Sequence, residues 1–337
     1  MRTLPSVCLV AGALLGLGVA RRAEAGPMST SPEQAYDQGE IPSARGTGMG
    51  GALNALGGST TALYLNPANM TLARVYHIEA LGAYSPEAQR QTYSLAIVDS
   101  AVNTAHVSGG IVGAWGEIDP SGLHRTWTDI RAALALPLGD YVSVGVTGRW
   151  LQVDQALNAG VFGFGGANPL TTSDLPASGT PNGTVFNGLT FDLGAAAAFQ
   201  GFRFGLVGHN LTNPGTSLAP TTAATGVGYG NGTFSLELDG GLDFTTFGHV
   251  TGRVMGGGEV FVADKYAIRA GWRYDSGTNI NAPSLGFGYI NPSWSAELAV
   301  RHDLLSDHAS TLAVLSLRYF YDATSSGSSP GDEPDPM

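Results

Sequence analysis

The strongest constraint in this 337-residue chain is a two-residue period that recurs along its length and separates charged from apolar side chains. Tyr266, Ile268, Ala270, Trp272 and Tyr274 alternate with Ala267, Arg269, Gly271 and Arg273. Trp294, Ala296, Leu298 and Val300 oppose Ser295, Glu297, Ala299 and Arg301, while Phe234, Leu236, Leu238 and Leu242 oppose Ser235, Glu237, Asp239 and Asp243. Val142, Val144, Val146 and Trp150 oppose Ser143, Gly145, Thr147 and Arg149. Successive side chains of a strand point to opposite faces, so each stretch presents one face free of charge and one that carries it. The charge-free face suits lipid, where an Arg or Lys at mid-depth costs ~2–4 kcal/mol.

Alternation and turn chemistry together mark fourteen strand candidates between Tyr76 and Tyr321, an even number. They include Thr104 to Gly116 as the third, Thr126 to Leu136 as the fourth, Leu189 to Phe199 as the sixth and Thr311 to Tyr321 as the last. Connections after even strands are short (Pro137 to Tyr141, Asn231 to Thr233, Val262 to Lys265), and those after odd strands are mostly longer, up to Asp154 to Gly188. Short periplasmic turns and long external loops characterise outer-membrane barrels. The expected fold is therefore all-β, a 14-stranded antiparallel transmembrane β-barrel over residues 76–321 with both ends in the periplasm. Tyr141, Phe202, Tyr266, Trp294 and Tyr319 would ring the periplasmic rim, and Trp150, Phe244 and Trp272 the outer one.

The remaining segments read differently. Arg2, the apolar run Leu4 to Ala20 and Ala23-Glu24-Ala25 form a secretory signal peptide over residues 1–25, and no later run approaches the ~18 apolar residues of a membrane helix. Cleavage after Ala25 removes Cys8, the one cysteine, and leaves 13 basic against 26 acidic residues, so disulfides are excluded and nucleic acid is not an expected partner. Residues 322–337, rich in Ser, Gly, Pro and acid, read as a disordered acidic tail. Residues 26–75 are too irregular for a strand, and Arg45 to Leu72 is glycine-dense with local helix signals, Asn66 as a cap and Pro67 at a first helical position. This is a candidate plug for a lumen that fourteen strands make too wide for wall side chains to fill.

The charge-bearing face holds Arg131, Arg149, Arg203, Arg253, Arg269, Arg273, Arg301 and Arg318 with Asp129, Asp192, Glu237, Asp239, Asp243, Glu259 and Glu297. Two readings stay open: a structural network tying the wall to itself and to the plug, or a ladder for a polar or anionic substrate. Gly46 to Gly51 matches G-x-G-x-x-G but follows no hydrophobic strand, which removes the dinucleotide reading. The seven histidines lack ligand spacing and no nucleophile motif is present, so neither a metal, a cofactor nor an enzyme is expected. Gly109, Gly110 and Gly113 in the third strand candidate would permit a bulge or kink.

The run Arg45 to Leu72, with its small-residue segment, its Ala62-Leu63-Tyr64 and its Asn66-Pro67-Ala68, resembles the N-terminal signature of FadL-like outer-membrane proteins. The resemblance implies a barrel with an N-terminal hatch (Asn66, Pro67, Ala68), a lateral opening at a third-strand kink, matched here by Gly109, Gly110 and Gly113, and passive uptake of long-chain fatty acids or other hydrophobic small molecules. The chain also looks like the smaller PorV-type branch, which implies a barrel that binds, shuttles or anchors a secreted or surface protein. Val161, Phe162 and Phe164 in the longest loop would serve either role.

Overall fold

The computed structural model describes residues 43–72, 76–87, 90–101, 107–118, 124–156, 183–215, 218–247, 249–277, 279–304 and 310–321. The expected signal peptide, the acidic tail and Val161, Phe162 and Phe164 lie outside them. The described chain opens with one short helix, α1 (Ala44–Gly48), and two 3-10 turns, Ser59–Leu63 and Pro67–Leu72. Fourteen strands follow among the described residues: β1 Tyr76–Ser85, β2 Arg90–Asp99, β3 Ser108–Ile118, β4 His124–Leu138, β5 Val142–Ala156, β6 Gly183–Phe199, β7 Phe202–His209, β8 Thr222–Gly230, β9 Phe234–Asp243, β10 Thr251–Val262, β11 Tyr266–Asp275, β12 Ile280–Ile290, β13 Trp294–His302 and β14 Thr311–Tyr321. Each pairs with its sequence neighbours, and β1 meets β14 antiparallel from Tyr76↔Tyr321 to Tyr84↔Ala313, which closes the barrel. The expected 14-stranded antiparallel all-β fold is the one the chain adopts.

The two-residue period becomes an outside and an inside. Leu95, Leu134, Leu189, Leu206, Leu236, Leu238 and Leu298 are each half or more exposed on the outer face, with Leu189 and Leu206 at 59%. Arg131, Arg149, Asp129, Glu237, Asp239, Glu259, Arg269 and Glu297 are buried on the inner one. A closed ladder satisfies every strand's backbone groups within the wall, which is what lets strands lie in an apolar medium.

Turn chemistry explains the connections at one end. Gln200 and Gly201 both take positive φ (51° and 86°) in the two-residue turn between β6 and β7, the twist-matched hairpin geometry. Asn231 and Asn291 each accept, at Oδ1, from the N–H two and three residues on, turning β8 into β9 and β12 into β13. Around this tight-turn end runs a belt of touching rings: Phe202 with Tyr229 (5.1 Å), Tyr229 with Phe234 (5.8 Å), Tyr266 with Tyr289 (5.6 Å) and Tyr289 with Trp294 (5.2 Å). At the opposite, long-connection end, Trp150 and Trp272 donate their indole N–H to Asn187 and Asn281.

Several strand bounds differ from the sequence reading. β3 is Ser108–Ile118 rather than Thr104 to Gly116, β4 begins at His124 rather than Thr126, and β6 begins at Gly183 rather than Leu189. Near β6 the ladder continues through Asp154↔Thr184 and Gln155↔Gly183, past a register shift between Val153 and Asp154. Apolar alternation marks only the stretch that faces an apolar medium, whereas backbone pairing continues past its edge into polar residues.

Candidate functional site

Residues 43–72 lie against the inner wall in the tight-turn half of the lumen, and several kinds of contact hold them there. The first is electrostatic. Ser43 caps α1 by accepting the Gly46 N–H at Oγ (2.9 Å), and from that helix Arg45 reaches Glu259 of β10 at 2.9 Å and donates to the Leu56 carbonyl at 3.2 Å. Glu259 also takes Arg269 of β11 at 2.5 Å, Arg269 takes Glu297 of β13 at 2.6 Å, and Arg318 of β14 bridges Glu297 (3.5 Å) and Glu79 of β1 (3.1 Å). Burial alone would pull the Arg45 guanidinium pKa down, but the Glu259 carboxylate, together with Glu297 and Glu237, outweighs it and raises the value above the ordinary one. Ions buried to this depth persist only when paired, and removing one partner of such a pair costs ~3–5 kcal/mol.

The second contact is a pair of β9 carboxylates that receives three consecutive backbone amides. Asp239 accepts the Asn54 N–H and its side-chain amide, both at 2.9 Å, while Glu237 accepts the N–H groups of Ala55 (2.6 Å) and Leu56 (3.0 Å). Those amides have no strand or helix partner, so the wall supplies what secondary structure does not. Asn66 ties the segment together and to β6, donating from Nδ2 to the carbonyls of Asn54 and Ala195 (3.1 Å each) while its Oδ1 accepts the Ala68 N–H (3.2 Å). Asn69 joins it on the Asn54 carbonyl (2.8 Å), and Ser143 of β5 and Ser284 of β12 donate to the carbonyls of Ala68 (2.9 Å) and Gly48 (3.2 Å).

The third contact is steric. Inward-facing wall glycines let the segment backbone approach the strands directly: a Cβ at Gly145 would sit 2.5 Å from the Ala68 nitrogen, and one at Gly257 2.7 Å from the Met49 Cα. Gly50, at φ +70°, crosses the β11 backbone so closely that its own Cβ would fall 2.5 Å from the Trp272 nitrogen. Gly110 of β3 plays the same part for Leu63, whose Cδ2 would lie 2.8 Å from an added Cβ.

Toward the long-connection end, the segment and the wall border a partly open chamber of about 140 Å³. Five arginines line it among the described residues, Arg131, Arg149, Arg253, Arg273 and Arg301, with Tyr64, Leu65 and Met255 as apolar lining and Ser43, Gly46 and Thr47 of the segment also bordering it. Asp129 takes both Arg131 (3.0 Å) and Arg149 (2.7 Å), and Asp275 takes both Arg253 (3.0 Å) and Arg273 (3.7 Å). Asp192 pairs with His209 at 3.1 Å and accepts the Asn210 N–H at 2.8 Å, and Arg149 donates to the Asn210 side chain at 2.9 Å. Tyr64 lies under the Arg131 guanidinium (5.8 Å to the ring centroid) and meets the Ser94 hydroxyl at 3.1 Å. Burial, then the nearby Glu79 charge, raises the Tyr64 phenol above its ordinary range, so it stays protonated.

The lumen charges singled out in the sequence therefore divide into two groups. Glu237, Asp239, Arg269 and Glu297 belong to the holding network, and Arg131, Arg149, Arg253, Arg273 and Arg301 to the chamber. Asp243 belongs to neither, because its carboxylate accepts the Thr245 and Thr246 N–H groups (2.9 Å each) where β9 ends. At the third-strand glycines, β3 pairs without a register shift with β2 and β4 through Gly109, Gly110 and Gly113. Gly110 is explained by Leu63, and an added Cβ at outward Gly113 would meet nothing within 4 Å. Sequence reasoning gave no role to Arg45 or Asn54 and named Tyr64 only within the Ala62-Leu63-Tyr64 motif. Arg45 carried a usable signal, a lone charge in a small-residue run that is otherwise uncharged through Leu72 and so requires a buried partner.

No family model and no curated protein matches this sequence. Solved structures do match in fold. The CymD monoaromatic hydrocarbon channel superposes with a TM-score of 0.61 at 13% identity, covering 82% of this chain and 96% of that one. The Ralstonia pickettii toluene transporter TbuX gives 0.59 at 13% identity over 85% and 100% of the two chains. A Pseudomonas aeruginosa FadL homologue gives 0.58 at 16% identity over 84% and 99%. The chain shares the FadL-like fold over most of its length.

Proposed function

We propose that this chain is an outer-membrane barrel for passive uptake of hydrophobic small molecules, with residues 43–72 acting as a hatch across its lumen. The observation that carries the reading is the chamber itself, bounded by a closed wall and by a segment tied to that wall at β5, β6, β9, β10 and β12. A barrel built only as a porin has no use for a segment held this tightly in its bore. The charge-free outer face supports the membrane setting, and the shared fold with barrels described as a monoaromatic hydrocarbon channel and a toluene transporter supports a hydrophobic ligand class. On this reading residues 1–25 direct export and are then cleaved, and the tight-turn end faces the periplasm.

The test is conductance and uptake measured on the same protein. In planar bilayers the intact chain conducts ions poorly, whereas deletion of residues 43–73 raises conductance and abolishes selective uptake of toluene into proteoliposomes. A large, steady, ion-permeable pore in the intact protein refutes the hatch.

A further inference from the structure

We infer that Asn210 is the positioning residue of a second barrier, a strap formed by the β7 to β8 connection across the long-connection side of the chamber. The inference goes beyond the uptake reading above, which assigns closure to the hatch alone, and rests on it for the class of solute. Its first ground is the path of the connection. Although β7 and β8 are neighbours in the wall, the chain between them turns into the bore, and Leu218 and Ala219 are buried in a cluster with Trp127 of β4 and Leu151 and Val153 of β5, with Phe186 of β6 packed against it. Pro220, next in sequence, borders the chamber together with Asn210. A connection that only joined two adjacent strands would need no contact as far round the wall as β4. Its far end is fixed too, since the Thr221 N–H donates to the Thr245 hydroxyl (2.7 Å) and the Thr221 carbonyl accepts the Phe244 N–H (3.1 Å).

The second ground is Asn210 itself, which is buried with all its polar groups engaged. Its N–H donates to Asp192 (2.8 Å), its carbonyl accepts the Thr221 hydroxyl (3.0 Å), its Oδ1 accepts from Arg149 (2.9 Å) and its Nδ2 donates to the Pro220 carbonyl (2.7 Å). Its φ of 52° lies in the left-handed region, where Asn is one of the few residues besides glycine that settle. One side chain thus ties the strap both to the wall and to an arginine that lines the chamber. The third ground is the contrast between this polar latch and the apolar seat under Leu218. A hydrophobic solute that moves Leu218 aside replaces the apolar contacts it breaks, whereas a hydrated ion sheds water there and gains no partner.

The experiment uses the full barrel, purified in detergent and inserted in planar bilayers. Leu151→Cys, in the seat, reports the strap through its rate of reaction with a charged methanethiosulfonate. Asn210→Gly keeps the left-handed backbone and removes only the side-chain ties, and Arg149 retains Asp129 at 2.7 Å, so no buried charge is orphaned. It should speed modification of position 151 about tenfold, the scale of one hydrogen bond to a charged group. Asn210→Asp, which keeps the acceptor for Arg149 and loses the donor to Pro220, should speed it as well, whereas Thr212→Ala, on the exposed side of the same connection, should not. Conductance separates the strap from the hatch: Asn210→Gly alone should leave it low, deletion of residues 43–73 should raise it, and the two together should raise it further than the deletion alone. Heat-modifiable migration on gels shows that each variant is folded. Unchanged modification in Asn210→Gly, or equal conductance of the deletion protein with and without that change, overturns the strap and leaves the hatch standing. A large, steady, ion-permeable pore in the intact protein overturns both barriers.

Discussion

Arg269 touches two carboxylates from two strands, and its removal tests the holding network directly. In Arg269→Leu, Glu259 keeps Arg45 and Glu297 keeps Arg318, so the loss should fall below the ~3–5 kcal/mol of an orphaned buried pair. We expect this variant to insert but to lose heat resistance on gels. Leu238→Arg, on the exposed apolar face, should fail to insert, because a cation there costs ~2–4 kcal/mol at mid-depth. The opposite pair of outcomes would mean that the two faces are inverted. Glycines give a sharper residue-scale contrast. A Cβ at Gly271 would overlap the backbone of Met49 and Gly50, so Gly271→Val should displace the segment and raise ion conductance. Gly113→Val, pointing into open space on β3, should not. The sequence alone could not separate these two glycines. With 49 glycines in 337 residues, abundance masks position, and which of them faces inward beneath the segment depends on a path no local pattern encodes.

Strands were the most legible elements, because a medium that penalises charge on one face writes the period into every crossing. Tyr266 and Trp294 show it well: placed at the short-turn rim by alternation and connection length, both lie in the ring of touching aromatics at the tight-turn end. Legibility stopped where the apolar medium stops, which is why β6 begins six residues earlier than alternation suggested. The arginines were legible as inward-facing but not as two groups, since their division depends on where closure sets each residue along the bore. Connection lengths lead to a topological prediction for the proposed orientation. An impermeant maleimide should label Thr212→Cys, in the connection from β7 to β8, in intact cells, and label Lys265→Cys, in the turn from β10 to β11, only after the membrane is permeabilised. Outside labelling at position 265 would overturn the proposed orientation of the fourteen strands.

For the molecule as a whole, closure is the decisive act. The β1 to β14 ladder from Tyr76↔Tyr321 is the last pairing the chain can make, and without it β1 and β14 present open edges that lipid cannot satisfy. Deleting residues 322–337 should leave a heat-modifiable barrel, whereas deleting from Thr311 onward should leave none, as read by gel shift after refolding into vesicles. The segment adds a condition of timing. Its bonds reach strands from β5 round to β12, and α1 and the turns pack against wall that later encircles them. A part enclosed this completely has to be inside before the seam shuts, and because it immediately precedes β1 in the chain, it is available before any strand is made. The proposed hatch would then serve as a mandrel as well as a stopper: successive hairpins can be laid against it, each finding its height on the bore from a carboxylate or a glycine that fits only one place.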